Sequence, residues 1–520
     1  MTLDQSQAAP TSTPSADSAP GPARVPGVPV IEGGKLISTN PATGAVVGSF
    51  PVATPEDIAA AVARAREASA WWAGLGFAGR RARLLRWTSL LANRIQGIAE
   101  VISSEGGKPV PEAIVEIFAA VEHASWAARN ASRVLKLRKI RGALMLVEHA
   151  AYLEYQPFGV IGVIGPWNYP IFTPMGSIAY ALAAGNAVVF KPSEYTPAVG
   201  KLIADTFAEV VPEHPVLQTV YGKGDVGHAL TQSGVDKVAF TGSTATGKKI
   251  MAACAANLTP VLLECGGKDA MIVDADADLD AAAAAATWGG LTNAGQTCIG
   301  IERVYAVDSV HDAFVERLVA NAGRLKVGVD EDSDIGPITM PAQIETIRRH
   351  IGDALDRGGR AAMGGMDAVK APYVYPTILV DVPEDSAAVR EETFGPTLTV
   401  TRVADADEAV RMANAIPYGL GGAVFGKRNA MRLARGLRSG MTSINSTLVF
   451  AGVPSLPFGG VGDSGIGRIH GADGLREFTR PKAITKRRMR SVLPAMSFER
   501  TPKQVELLKR VVRTVYGRKG

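Results

Sequence analysis

The chain is poor in cysteine, with 3 in 520 residues: Cys254, Cys265 and Cys298. None of them forms a C-x-x-C pair, and an odd number argues against a disulfide framework. Structural zinc, dithiol redox chemistry and a disulfide-stapled secreted fold therefore lack support. A reducing cytoplasm is the expected compartment. Histidine is scarce too: 7 residues lie scattered along the chain, with no His-based signature beside a thiol that would suggest a papain-like hydrolase. No metal site is expected. Long apolar runs are also missing. Residues 159–190 carry no charge, but Pro166, Asn168, Pro170 and Pro174 cut them into pieces too short to cross a bilayer as one helix. The opening MTLDQSQAAPTSTPSADSAPGPARVPGVP has neither an early basic cluster nor an apolar core, so it does not read as a secretory signal. Its Pro, Ser and Ala content reads as a disordered lead-in over residues 1–28.

A large excess of charge of one sign is absent from the body of the chain. The net formal charge is +5, yet residues 482–520 hold 12 Lys or Arg against 2 Glu, which leaves −5 for residues 1–481. Nucleic-acid binding is not supported by global charge; the positive potential sits in the tail.

Apolar content, in contrast, is ample at 47%, enough for two or three cores in a chain of this length. Thr54, Pro55 and Asp57 mark a helix start, and helical text runs to about Leu135. ALMLVEHAAYLEYQPFGVIGVI then reads as strands, the last apolar enough to be buried on both faces. Short apolar runs next alternate with helical patterns through GVIGVI, AVVFKP, LQTVYG, KVAFTG and PVLLECGG. A second set follows Cys298: ERVYAV, HDAFVERLVANAGRL, LTVTRV, ADEAVRMANA and GGAVFGK. This alternation predicts parallel βαβ units in two α/β domains, with the thiol at their seam. Residues 463–478, DSGIGRIHGADGLREF, read as glycine-rich loop.

Four stretches can carry chemistry. Cys298 stands in NAGQTC, a turn where substrate can approach a thiol and local amides can activate it; a lone free cysteine is more often a small buried hydrophobe. Glu264 of LLECGGKD ends an apolar strand. It is either a solvated strand-end carboxylate or, half-buried, a base with a raised pKa. Two phosphate-loop candidates compete. GKGDVG (residues 222–227) is a literal G-x-G-x-x-G without the ribose-binding acid downstream. FTGSTATGKK (residues 240–249) enters a helix after a strand, so its amides and the hydroxyls of Ser243 and Thr244 face a pyrophosphate. Asn168 of PWNYP either caps its turn or donates to an oxyanion.

Taken in order, PWNYP, KPSEYTP, FTGSTATGKK, LLECGGKD, NAGQTCIGIERV, EETFGP and LPFGGVGDSGIGR resemble the aldehyde dehydrogenase superfamily, over residues 29–485. The resemblance implies an α/β fold of two Rossmann-like, doubly wound parallel-sheet domains with a small β oligomerisation arm. The cofactor-binding domain would span 29–142 and 157–265, the catalytic domain 266–456, the arm 143–156 and 482–490, and a return to the core 457–481. A basic amphipathic extension would fill 491–520. The resemblance also implies roles: Cys298 as nucleophile, Glu264 as general base, Asn168 as oxyanion donor with the Cys298 amide. NAD+ is the implied cofactor, with NADP+ as the alternative. Lys191 and Glu194 would hold the adenosine ribose, with Ser193 beside them; Ser243 with Gly242 and Thr246 the pyrophosphate; and Glu392 with Phe394 the nicotinamide ribose. Ile164, Gly165, Pro166, Trp167, Gly224 and Phe240 would complete that site. Phe458 and residues 448–457 would line the substrate tunnel, and a homodimer or homotetramer is implied.

The sequence departs from the family where many members carry a Lys and a Glu proposed to relay protons; here these positions are Ser177 and Ile469. Some relatives have an acidic residue where this chain has Ala245. HGADGLREFTRPK resembles the branch acting on fatty, aromatic or semialdehyde substrates. A CoA-acylating relative is disfavoured because those generally lack the base at Glu264, and a silent scaffold with the same fold is the alternative from another class. In the tail, Thr501, Pro502 and Gln504 start a helix whose stripe of Val505, Leu508, Val512 and Val515 is flanked by Lys509, Arg510 and Arg513. It reads as a helix docked on the body or on a partner subunit, or lying peripherally on an anionic membrane.

Overall fold

The computed structural model describes residues 25–143, 146–489 and 497–517. Most of the expected lead-in, and residues 491–496 and 518–520 of the extension, lie outside the described residues.

The short apolar runs become strands buried along their whole length: Val160–Ile164, Ala187–Lys191, Asp269–Val273 and Ile301–Val307. Burial on both faces requires helices on both sides, and parallel order supplies them through crossovers. Among the described residues, a six-stranded sheet runs in the order Gly465–Ile466, Val261–Cys265, Lys237–Gly242, Val160–Ile164, Ala187–Lys191, Leu217–Thr219. All its pairings are parallel except that of the edge strand Gly465–Ile466. A seven-stranded sheet runs Arg360–Met363, Thr377–Val380, Thr397–Val403, Ile301–Val307, Asp269–Val273, Gly422–Phe425, Ser443–Ile444, with Arg360–Met363 as its antiparallel edge. Each sheet has its own hydrophobic core. The chain passes from the first sheet to the second at Cys265–Asp269, beside Glu264.

The helices begin where local chemistry directs. Thr54 and Asp57 form a reciprocal capping box, with Asp57 N–H donating to Thr54 Oγ1 at 3.2 Å and Thr54 N–H to the Asp57 carboxylate at 2.9 Å. Helix Val110–Leu135 buries Ala113, Ile117, Ala120, Ala124, Ala127 and Ala131, spaced by three or four, against the almost fully buried helix Phe172–Ala184. The uncharged span 159–190 is thus strand, turn, helix and strand. Among the described residues no helix is long and apolar enough to cross a membrane.

Two expectations need correction. The arm expected at 143–156 and 482–490 is a three-stranded antiparallel sheet of Arg138–Ile140, His149–Pro157 and Thr479–Arg487, with Leu144, Met145 and Arg490 outside the described residues. Residues 146–148 turn rather than extend. The run 463–478, read as loop, holds the edge strand Gly465–Ile466 and the helix Gly471–Glu477, which packs on Val110–Leu135 and Phe172–Ala184. Its glycines concealed both elements, because they weaken strand and helix propensity alike.

Candidate active site

Cys298 follows an unusual turn. Asn293, Ala294 and Gly295 lie consecutively at φ of 52°, 55° and 69°, the left-handed region that costs a non-glycine residue about 1–2 kcal/mol. Surrounding hydrogen bonds hold it there. Asn293 N–H donates to Glu112 Oε2 at 2.8 Å, and Asn293 Nδ2 to the Asn168 carbonyl at 3.0 Å. Gln296 Nε2 donates to the Asn293 carbonyl at 3.0 Å, while Gln296 Oε1 accepts from Thr339 N–H at 2.8 Å. Buried Asn168 in turn donates through Nδ2 to the Gln296 carbonyl at 2.9 Å. That bond uses one of the two N–H groups of its amide and leaves the other to donate elsewhere. Thus PWNYP and NAGQTC, 128 residues apart, are one constructed loop pair.

Two cavities meet at Cys298. One, of about 690 Å³, is lined by Ile164, Gly165, Pro166, Trp167, Asn168, Lys191, Ser193 and Glu194 from the first strand ends and by Gly224, Phe240, Gly242, Ser243 and Thr246 from the later loops; Glu392 and Phe394 close it from the second domain. The other, of about 260 Å³, is lined by Tyr169, Phe172, Trp288, Leu448, Val449, Phe458 and Ile469 among others. Glu264, Cys265 and Cys298 belong to both walls. Cys265 is buried, and Gly247 of the helix Thr244–Ala255 lies so close to its sulfur that a Cβ there would come within 2.9 Å; Cys298 is half-buried. Cys254 is buried in that helix and lines neither cavity.

Glu264 is buried, and neither carboxylate oxygen has a hydrogen-bond partner among the described residues. Burial pushes its pKa well above the usual carboxylate range; the Arg468 charge opposes that, and Glu477 adds to it. Arg468 does not bond the carboxylate, since its Nη1 donates to the carbonyls of Gly460 and Gly467 at 2.8 and 2.6 Å. Gly459, at φ 149°, backs Glu264: a Cβ there would stand 2.8 Å from Oε1. The thiol of Cys298 is pushed up by burial and by the carboxylates of Glu392, Asp269 and Glu264, while the Ile299 amide pulls it down. Burial therefore disfavours the ionised form of both the thiol and the carboxyl.

The larger cavity has the donor set of a dinucleotide site. Ser243 caps the helix Thr244–Ala255, its Oγ accepting from Thr246 N–H at 3.3 Å, and no acidic residue occupies the first turn, so the amides there favour an anion. Thr244 is a correction: its hydroxyl donates to the Asp463 carbonyl at 2.8 Å and does not line the cavity. Lys191 Nζ lies 3.2 Å from Glu194 Oε2. Glu392 accepts from Gly267 N–H at 3.1 Å and presses so closely on the Gly266 Cα that a side chain there would displace it. GKGDVG starts the helix Gly224–Gln232, with Gly224 and Gly227 on the cavity wall.

Beneath Glu392 lies a buried ion pair, Lys268 with Glu302. Glu302 also accepts from Thr393 N–H at 2.8 Å and Phe394 N–H at 3.0 Å, while Lys268 donates to Thr393 Oγ1 at 2.9 Å. This pair fixes EETFGP. Glu302→Ala strands the Lys268 charge and two amides, and is expected to cost about 3–5 kcal/mol in urea-unfolding stability; a loss below 1 kcal/mol contradicts it.

The sequence reading left several wall residues unmarked. Glu112, Val115, Glu116 and Ala119 line the smaller cavity from one helix. Their spacing was a signal, but one indistinguishable from a core stripe. Trp288 and, on the cofactor side, Met340, Gln343 and Thr346 carried no signal, because only tertiary packing brings them there.

Residues 31–484 match the model of the aldehyde dehydrogenase family. A Methylomonas protein named 4,4'-diapolycopene aldehyde oxidase is 37% identical over 450 residues, 86% of this chain and 84% of the relative. A Mycobacterium ulcerans protein, to which succinate-semialdehyde dehydrogenase [NADP(+)] activity is attributed by name, is 36% identical over 480 residues, covering 91% and 92%. The crystal structure of an NAD-dependent aldehyde dehydrogenase from Sinorhizobium meliloti superposes with a TM-score of 0.83 at 34% identity, over 87% of this chain and 91% of that one. Fold, motif order and matched span agree: the chain belongs to the aldehyde dehydrogenase family.

Proposed function

We propose that the protein oxidises an apolar aldehyde to a carboxylic acid with NAD+, or less readily NADP+, through a thioester on Cys298. The observation that carries this reading is that Cys298 and Glu264 both stand where the two cavities meet. Cys298 gives its proton to water in the larger cavity, and its Sγ thiolate attacks the carbonyl carbon and converts it to a tetrahedral thiohemiacetal. Asn168, through its remaining N–H, and the Cys298 amide donate to the oxyanion, which drives hydride out of the carbon. The bound dinucleotide supplies the hydride acceptor. Glu264 then takes a proton from water, whose oxygen attacks the thioester; the acid leaves and Cys298 is regenerated. Ser177 and Ile469 offer Glu264 no titratable partner, so its proton leaves through the cofactor cavity it also lines.

Substrate class follows from the smaller cavity. Its charged wall residues, Glu112, Glu116 and Glu264, are all acidic, and no Lys, Arg or His lines it among the described residues. A carboxylate-bearing semialdehyde meets no cation there, whereas an aliphatic or aromatic chain meets Phe172, Trp288 and Phe458. For the cofactor, the Glu194 carboxylate repels a 2′-phosphate, which favours NAD+. The arm sheet is the pairing surface of a homodimer or homotetramer. A peripheral place at a membrane, where an apolar aldehyde partitions, belongs to the same reading.

A panel of aldehydes assayed with NAD+ and NADP+ tests it. Medium-chain aliphatic and aromatic aldehydes are expected to exceed succinic semialdehyde at least about tenfold in kcat/KM, a difference of about 1.4 kcal/mol, with NAD+ above NADP+. Preference for the semialdehyde overturns the substrate reading; cofactor binding without turnover of any aldehyde supports a silent scaffold.

A further inference from the structure

We infer that the C-terminal helix docks the protein on the surface of an anionic lipid bilayer. Helix Pro502–Tyr516 opens with a reciprocal capping box: Gln504 N–H donates to Thr501 Oγ1 at 3.4 Å, and Thr501 N–H to Gln504 Oε1 at 2.7 Å. It is a self-contained helix with no buried residue. Among the described residues, no hydrogen bond or ion pair ties it to the body; its one ion pair, Lys509 with Glu506, is internal. The docking on the body expected from the sequence is thus not found.

The two halves of the helix differ sharply. At about 100° per residue, Val505, Leu507, Leu508, Val511, Val512, Val515 and Tyr516 all fall within one half of the projection. Lys503, Lys509, Arg510 and Arg513 share the other half with a single acid, Glu506. Leu507, Val512 and Val515 are 47%, 50% and 47% exposed and Val505, Leu508 and Val511 half-buried, so no residue of the apolar face is covered. A protein-facing helix of this kind has its stripe covered, whereas an interfacial helix combines a broad apolar face with a cationic one. The charge is complementary to anionic headgroups and continues outside the helix. The preceding arm strand ends in exposed Lys486 and Arg487, followed by Arg488, and the whole of residues 482–520 carries a net +10. Phe498, just before the helix, is fully exposed. Several cations beside an inserted apolar face attract an anionic surface within about a Debye length, so binding must weaken with salt.

The proposal rests on reading the extension as a membrane contact and not on the chemistry at Cys298. Turnover of a water-soluble aldehyde therefore serves as an independent control. The experiment is co-sedimentation of the full chain with phosphatidylglycerol and with phosphatidylcholine vesicles, at low and high salt, for the native protein and two variants. One carries Lys509→Glu, Arg510→Glu and Arg513→Glu; the other carries Leu508→Asp and Val512→Asp. The native protein is expected to partition onto phosphatidylglycerol at least about tenfold more strongly than onto phosphatidylcholine, and less at high salt. Both variants are expected to lose about tenfold or more of that partitioning while keeping native turnover and oligomeric state. Three results overturn the inference: no preference for phosphatidylglycerol, variants that partition as the native protein does, or Leu508→Asp with Val512→Asp splitting the oligomer, which would show that the face covers a second copy of the chain.

Discussion

Cys298→Ala lowers aldehyde oxidation by at least about 10⁴-fold, on the scale found when a covalent nucleophile is removed from a preorganised site, and leaves cofactor binding unchanged. The sulfur lies at the junction of the two cavities, so its loss opens a little space and leaves the rest of the larger cavity's wall in place. Cys265 provides the contrast. It borders the same junction but is buried where Cys298 is half-buried, and Gly247 lies against its sulfur. Cys265→Ala is therefore expected to keep most activity. Initial rates and a fluorescence titration with cofactor for the two variants check both statements; retained turnover in Cys298→Ala means the wrong thiol was assigned.

Glu264→Gln lowers steady-state turnover by about 10²–10⁴-fold, the usual worth of a general base, and converts the time course to one burst of reduced cofactor followed by near silence. The reason is that Cys298 still attacks and hydride still leaves, while water at the thioester has no base. The pH dependence has a definite sign. Burial raises the Glu264 pKa, so its basic form is gained at higher pH than that of an ordinary carboxylate. Native thioester hydrolysis must therefore climb with pH on a limb lying above the ordinary carboxylate value of about 4.3. Glu264→Gln removes that climb but not the one from the Cys298 thiol, seen in the burst rate. An unchanged hydrolysis profile in the variant means another group takes the proton from water.

Much of this was legible in the sequence because it is local. Strands such as Val160–Ile164 and Ile301–Val307 announced themselves as uninterrupted apolar runs, and Thr54 and Thr501 as capping residues, since each depends on a few neighbouring side chains. The candidate residues lay in short motifs at strand ends, and the structure gathers them around two adjoining cavities. What stayed hidden depends on partners far along the chain. Nothing near Glu302 says that it will pair with Lys268 and hold the amides of Thr393 and Phe394, 91 and 92 residues away. The left-handed turn at Asn293 and Ala294 needs Glu112 and Asn168 to stabilise it, so no local rule predicts it. The edge strand Gly465–Ile466 pairs with Leu263 and Glu264 and backs the proposed base, yet its glycine-rich text reads as loop. The hydroxyl of Thr244 was read as facing pyrophosphate because propensity cannot see the Asp463 carbonyl that captures it.

The most direct test is to catch the acyl group on its sulfur. Glu264→Gln is mixed with excess NAD+ and an apolar aldehyde, quenched in acid after the burst, digested and weighed by mass spectrometry. The peptide containing Cys298 should gain the mass of the aldehyde less two hydrogens, in one-to-one ratio with reduced cofactor formed. Reduced cofactor without any adduct, or the same gain on the peptide containing Cys265, would contradict it.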